Sequence, residues 1–485
     1  MKSKSIGINS LLNVIKSSLS IIFPIITYPY ALRVLGTSNI GKVSYTLSII
    51  SYFSLLAKFG ISTYAIREGS KLKNNRKAFE EFANNIFSIN IYFTILAYLL
   101  LFLVIFFVNK LNGYKILLLI QSISLIFGTI GIEWINTIYE DYLSVTVRSL
   151  LTYLLTIPFL FLLVKNENDI YIYALISVFV SGIVSLINWN YCKKYINLKF
   201  IIIPNFKPHI KYLTVFFFNS IMVTIYVNID ITMLGWIQGD YSVGIYSTAT
   251  KLYTIIKDLL TSIYLVSVPR LSYYYSQDRL EDYKDLFTNM VSYLSILLLP
   301  ASIGLICVSD GAIYLLGGNQ YMNAITPLQI LCISLIFAQF GGLITLCVNV
   351  SIGKENTNLI GSIIGALSNA ILNLFFITKW SYIGAAITTT IAEMIVFLYC
   401  FYSLENKNRF INFKKLKSLF KDILLGCILI IIVSFILHYY INHIILRTIL
   451  ICLIGFLIYF FILYIRKNYI LIDLLVKIKK KLIKY

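Results

Sequence analysis

Charge is scarce in this chain of 485 residues: 13% are Asp, Glu, Lys or Arg, against 59% hydrophobic. A soluble globular chain carries about 25% charged and roughly 45–50% apolar residues, so a soluble enzyme of this size would need a polar exterior that is missing here. Reactive side chains are also few. The three histidines, His209, His438 and His443, have no metal-ligand spacing, and the seven cysteines stand singly with no C-x-x-C. Those thiols read as small buried hydrophobes. No nucleophile–base pair, metal cluster or Walker loop is present, so the sequence predicts no catalytic residue, metal or cofactor. It predicts no enzyme.

What is there is apolar length. About 14 helices of about 21 residues would use roughly three-fifths of the chain and leave no room for a folded soluble domain. Apolar windows fall near 10–34, 42–66, 83–108, 115–136, 146–165, 170–190, 212–235, 244–268, 285–308, 325–350, 358–378, 383–403, 422–441 and 446–465. The expectation is an all-α integral membrane protein. An even span count puts both ends on one side, and Lys and Arg choose that side. The tails and alternate connectors carry 30 of the 41 basic residues and the opposite connectors 5, so both termini are expected in the cytoplasm. The net charge of +20 is therefore topological and calls for no nucleic acid. Residues 466–485 alternate Ile/Leu with Lys at helical spacing, which suits an interfacial helix on anionic membrane lipids.

A weak internal repeat organises the spans. Arg33-Val-Leu-Gly36 closes the first and Gly41-Lys-Val-Ser-Tyr45 opens the second. Thr232-Met-Leu-Gly235 closes the seventh and Gly244-Ile-Tyr-Ser247 opens the eighth. The match implies a parallel six-span repeat, which places a substrate path between two lobes along the membrane normal. The lobes would be 1–200 and 212–405, joined by a basic cytoplasmic connector at 201–211. Residues 406–485 would add spans 13 and 14 and a basic tail.

Charge inside a span costs at least about 2.5–3.5 kcal/mol at the centre, so each case asks for a cavity or a partner. In the first span Asn9, Asn13, Lys16, Ser20, Thr27 and Tyr30 share an arc, and Pro24 and Pro29 bend the helix. Ser44, Ser51, Ser54, Lys58 and Ser62 share one in the second, and Ser247, Lys251, Thr254, Asp258 and Ser262 in the eighth. In the seventh, Asn219, Tyr226 and Asp230 share a face. Serine stripes alone glue helices together in lipid. A lysine centred in three of them points to a hydrated, cationic, substrate-binding cavity. Arg33, near a span edge where it can also snorkel, and Lys257, off its stripe, complete the candidate set of Lys16, Arg33, Lys58, Lys251 and Lys257. Three acids are candidates for coupling or as counter-ions. Asp258 is able to pair with Lys251 or Lys257, Asp230 reads as a counter-ion, and Glu393 suits either a coupling ion or lobe packing. Glu133 is expected to cap or pair at the cytoplasmic surface.

Several stretches resemble a known family. They are Phe23-Pro-Ile-Ile-Thr-Tyr-Pro-Tyr-Ala-Leu-Arg-Val-Leu-Gly36, Gly60-Ile-Ser-Thr-Tyr-Ala-Ile-Arg-Glu68, Gly131-Ile-Glu-Trp-Ile135 on to Arg148-Ser149, Asn228-Ile-Asp-Ile-Thr-Met-Leu-Gly235 and Gly244-Ile-Tyr-Ser-Thr-Ala-Thr-Lys-Leu252. In order and span placement they resemble the Wzx-like oligosaccharide flippases of the multidrug/oligosaccharidyl-lipid/polysaccharide exporter superfamily. The resemblance implies a fourteen-helix, two-lobed transporter of the bacterial cell membrane. It would move undecaprenyl-pyrophosphate-linked oligosaccharide from the inner to the outer leaflet for O-antigen or capsule, with polysaccharide polymerase machinery as an expected partner. A multidrug or cation antiporter and a peptidoglycan-precursor flippase of the same superfamily are the alternatives. The first would need acids, and spans one and two have none; the second presents the same pyrophosphate.

Overall fold

The computed structural model describes residues 6–404, 407 and 410–472, with side chains from Phe23 onward. Among the described residues there are helices and turns and no strand. Among the described residues, twelve helical segments are long and apolar enough to cross a membrane. Two of them, Phe23–Leu72 with 50 residues and Glu355–Tyr402 with 48, are too long for one crossing. At 1.5 Å per residue a 48-residue helix would run about 72 Å, more than twice the roughly 30 Å apolar core of a bilayer. Each is broken and holds two of the expected spans, which reconciles twelve segments with about fourteen crossings.

The described chain packs as two compact units, Met1–Gly244 and Ile245–Tyr485. The first begins with α1 (Ile6–Lys58), interrupted at Gly36, whose φ of 76° only glycine adopts freely. A turn at Phe59 and Gly60, both with positive φ, separates α1 from α2 (Ile61–Leu72). The expected span 42–66 therefore ends at Lys58. A left-handed residue cannot continue a helix, and α2 turns its Ile61, Tyr64, Ala65 face inward as a separate element. Then come α3 (Arg76–Phe107), α4 (Lys115–Ile130), the short α5 (Glu133–Ile138), α6 (Tyr142–Leu163), α7 (Ile170–Cys192) and α8 (Lys207–Ile237). Asn75 caps α3, its side-chain oxygen accepting from the Ala78 amide at 3.2 Å.

A buried cluster of Ile61, Tyr64, Phe79, Phe82, Trp134 and Ile135 ties α2, α3 and α5 together at one end of this unit. The segment between α7 and α8 lies along α3. Asn84 Oδ1 accepts from the Lys199 amide at 2.8 Å, Ser88 Oγ from Ile201 at 2.8 Å and Asn85 Oδ1 from Asn205 at 2.9 Å. The connector is thus held by side chains that replace the missing backbone ladder.

α9 (Asp240–Leu265) starts in the first unit and runs into the second. There follow α10 (Val268–Ser276), α11 (Leu280–Cys307), α12 (Ser309–Gly317) and α13 (Ile325–Leu343), the last extended by a π-helical turn over Ile344–Asn349. α14 (Glu355–Tyr402) is broken at Ser381, φ 51°. α15 (Phe413–Tyr440) and α16 (Ile444–Ile465) pack on each other and on α11, where Tyr459 Oη donates to the Ile296 carbonyl at 2.8 Å. The interfacial helix expected over 466–485 lies outside the described residues from 473 on.

Candidate functional site

The second half of α1 carries two contrasting ends. At one, Lys58 closes the helix and borders two cavities of the first unit. The cavity between α1, α2 and α8 has about 310 Å³ and is lined by Ser51, Ser54, Ser62, Thr63, Ser220, Thr224 and Asn228 beside Lys58. Among the described residues its lining has one cation, many hydroxyls and no carboxylate. Four of the five members of the predicted second-span stripe, Ser51, Ser54, Lys58 and Ser62, line it. The other cavity has about 350 Å³ and lies between α1, α2, α3, α4, α5 and α7. Lys58 and Glu133 both face it, with Ser62, Asn90, Thr137, Ser185, Phe127 and Trp134.

Glu133 reaches that cavity because α4 stops short. Ile132 takes a left-handed conformation, φ 37°, and Asn188 Nδ2 donates to the freed Gly131 carbonyl. The next helix therefore starts with Glu133, expected to cap or pair at the surface, as an exposed residue of its first turn that also lines the cavity. Arg148, within electrostatic reach of Glu133, is buried and committed elsewhere. Its guanidinium donates to Ser144 Oγ at 2.8 Å, to Asn188 Oδ1, and to Asn136 Oδ1 at 3.4 Å.

At the other end, about 26 Å away along the helix, α1 meets the α8–α9 turn backbone to backbone. A methyl group at Gly41 would overlap the Asp240 carbonyl, and one at Gly244 would overlap the Thr37 carbonyl. The contact is reciprocal. Each glycine abuts the residue four positions before the other, so the two halves of the sequence repeat touch through equivalent positions. Tyr45 packs against Gly235, and Tyr114 Oη donates to Asp240 Oδ1 at 2.6 Å.

The remaining candidates spread out. The Lys16 side chain lies outside the described residues. Of its stripe, Thr27 bonds back to the Phe23 carbonyl at 3.0 Å and Tyr30 to the Val164 carbonyl at 2.7 Å, so both serve packing. Arg33 is exposed one turn before the Gly36 break and borders neither cavity. On α8, Asp230 is buried near Tyr52, and the face that lines the cavity is Ser220, Thr224 and Asn228 rather than Asn219, Tyr226 and Asp230.

In the second unit Lys251 is half-buried on α9, and Thr254, Asp258 and Ser262 form an exposed face. Lys257 pairs with the buried Glu393 of α14, Nζ to Oε1 3.0 Å, and Tyr253 Oη donates to the same oxygen at 3.5 Å. That pair answers two candidates at once. Lys257 has a resident counter-ion, so binding an anionic ligand would have to break the bridge, and the partner is Glu393 rather than Asp258. Asp258 makes no ion pair within 4.0 Å among the described residues.

Residues 5–275, more than half of the chain, match the family described as polysaccharide biosynthesis protein. The chain is 27% identical over 377 residues to the capsular polysaccharide biosynthesis protein CapF of Staphylococcus aureus, covering 76% of this chain and 91% of that one. It is 26% identical over 303 residues to a Shigella dysenteriae protein named as a candidate O-antigen transporter, covering 61% and 72%. Among solved structures, the lipid II flippase MurJ in an inward closed conformation aligns with a TM-score of 0.76 at 18% identity, over 96% of this chain and 99% of that one. An inward-facing multidrug resistance MATE family transporter of the MOP superfamily aligns at 0.57 and 15% identity, over 80% and 96%. These two likenesses concern the fold alone.

Proposed function

This chain belongs to the polysaccharide biosynthesis protein family, and we propose that it is a flippase for undecaprenyl-pyrophosphate-linked oligosaccharide repeat units. It carries them from the inner to the outer leaflet of a bacterial cytoplasmic membrane, for polymers of the O-antigen or capsule type, and polymerase machinery takes up the product outside. The names of the capsular and O-antigen relatives support the substrate class. The observation that carries the reading is Lys58 among hydroxyls. A pyrophosphate is a hard anion, and a lysine bordering a cleft with low-dielectric walls attracts it more strongly than one in open water. Serine and threonine hydroxyls complete its hydrogen bonding, while the polyprenyl tail stays in the bilayer.

With both termini cytoplasmic, as the 30-to-5 division of Lys and Arg supports, the Lys58 end of α1 faces the cytoplasmic leaflet and the glycine contact faces outward. The substrate then loads from inside while the outer end is closed, and alternating access requires that contact to part. The reciprocal contact also supports the six-span repeat, and the lobes 1–200 and 212–405 belong to the same proposal. Lys251 is a second cation for the substrate path.

Purified protein in vesicles, given a fluorescent polyprenyl-pyrophosphate saccharide, tests the reading. Lys58→Ala should lower the flipping rate about tenfold or more, the scale of one lost charge-assisted contact, with Lys58→Arg milder. Wild-type flipping by Lys58→Ala would contradict it. The cation-antiporter reading is favoured by one observation, Glu133 in a cavity. It predicts proton-coupled efflux of a lipophilic cation that Glu133→Gln abolishes.

A further inference from the structure

The two cavities that share Lys58 differ in one group, and that group discriminates between ligands. Both offer hydroxyls; among the described residues, only the cavity between α4, α5 and α7 adds a carboxylate. Lys58 and Glu133 both border that cavity, yet no ion pair within 4.0 Å joins them, and Arg148 is spent on Ser144, Asn188 and Asn136. A phosphate offers only acceptors, and Glu133 would repel it. A sugar hydroxyl donates and accepts through one oxygen, so a single ring can give a proton to Glu133 while taking one from Lys58. Ser62, Thr137 and Ser185 add hydroxyls around it, and Phe127 and Trp134 offer apolar walls to the C–H face of a ring. A volume of 350 Å³ equals roughly a dozen waters at about 30 Å³ each, space enough for a small polyol.

Resting on the flippase reading, we propose that Lys58 divides the substrate head between two subsites. The pyrophosphate occupies the carboxylate-free cavity of α1, α2 and α8. The sugar bonded directly to it occupies the Glu133 cavity, where Glu133 determines which saccharide is accepted. The arrangement matches the covalent order of the head group, since phosphate and first sugar are neighbours and Lys58 stands where the two cavities meet.

Binding to the purified full-length protein tests the division, with inorganic pyrophosphate and a hexose 1-phosphate as probes and Trp134 fluorescence and calorimetry as readouts. Lys58→Ala should weaken both probes. Glu133→Gln should weaken the hexose 1-phosphate about tenfold, as expected when one charge-assisted hydrogen bond is lost, and leave pyrophosphate equal or tighter. Glu133→Asp, which keeps the charge, should fall between wild type and Glu133→Gln. If hexose 1-phosphate binding is unchanged or stronger in Glu133→Gln while Lys58→Ala weakens both probes, the sugar subsite is wrong and the flippase reading stands. If neither probe binds the wild type, or Lys58→Ala changes neither, both readings fall.

Discussion

The two ends of one helix half carry the contrast on which this protein turns. Around Gly41 the backbone of α1 lies against the backbone of the α8–α9 turn with no room for a methyl group; around Lys58 the same helix borders two polar cavities. A backbone-to-backbone contact excludes water and is either made or broken, because packed surfaces do not deform by degrees. A hydroxyl-lined cavity with a lysine that makes no ion pair among the described residues tolerates water and, on the proposed function, takes an anion. On the proposed function, the difference teaches that closure and binding are assigned to opposite ends of one helix half, so a change at one end is expected to be felt at the other.

The largest effect is expected from breaking the closed end. Gly41→Val or Gly244→Val cannot seat against Asp240 or Thr37, so transport should nearly stop while the protein remains in the membrane. Gly41→Ala should cost about 1–3 kcal/mol of overpacking, a shift of about 5- to 150-fold in the balance between closed and open. Polymer export and labelling of Ser38→Cys from outside measure both, and normal export by Gly244→Val would refute the contact as a gate. A smaller effect, a few-fold loss of flipping, is expected from Thr224→Val or Asn228→Leu on the cavity face of α8, and none from Asn219→Leu on its other side. Equal losses from both faces would blur the comparison.

The smallest effect lies outside the spans, where Asp141 joins the α5–α6 turn to the end of α7. Its carboxylate accepts from Tyr191 at 2.5 Å, Tyr195 at 2.8 Å and Lys194 at 3.1 Å. Burial pushes its pKa up, but those three donors outweigh burial and hold it below its ordinary 3.8. A lowered folded-state pKa stabilises the protein above the unfolded value, and that stability is lost as pH falls through the folded value. Asp141→Asn should therefore cost about 1 kcal/mol at neutral pH, and the gap to wild type in melting temperature should close below about pH 4.

The helices and the Lys58 stripe were legible because hydropathy and a 3.6-residue period are local properties. The break at Gly36 was legible in kind, since a glycine ends the first span. The break at Ser381 was legible as the gap between spans 358–378 and 383–403; the one at Ile132 was not, because a β-branched side chain does not announce a positive φ. Ser220, Thr224 and Asn228 escaped because the search followed charge, and the lining of α8 is uncharged. The Lys257–Glu393 bridge joins residues 136 positions apart, and no spacing rule reports such a pairing. The repeat motif was read as a weak similarity; its physical sense, a reciprocal glycine contact, required both copies in space.

The most direct measurement is the sidedness of a single cysteine in the cavity. Ser54→Cys in a cysteine-free background should react with an impermeant reagent from the cytoplasmic face of membrane vesicles, be protected by hexose 1-phosphate, and stay silent from outside until Gly41→Val is added. Reaction from outside with Gly41 intact, or no protection from either face, would contradict the account.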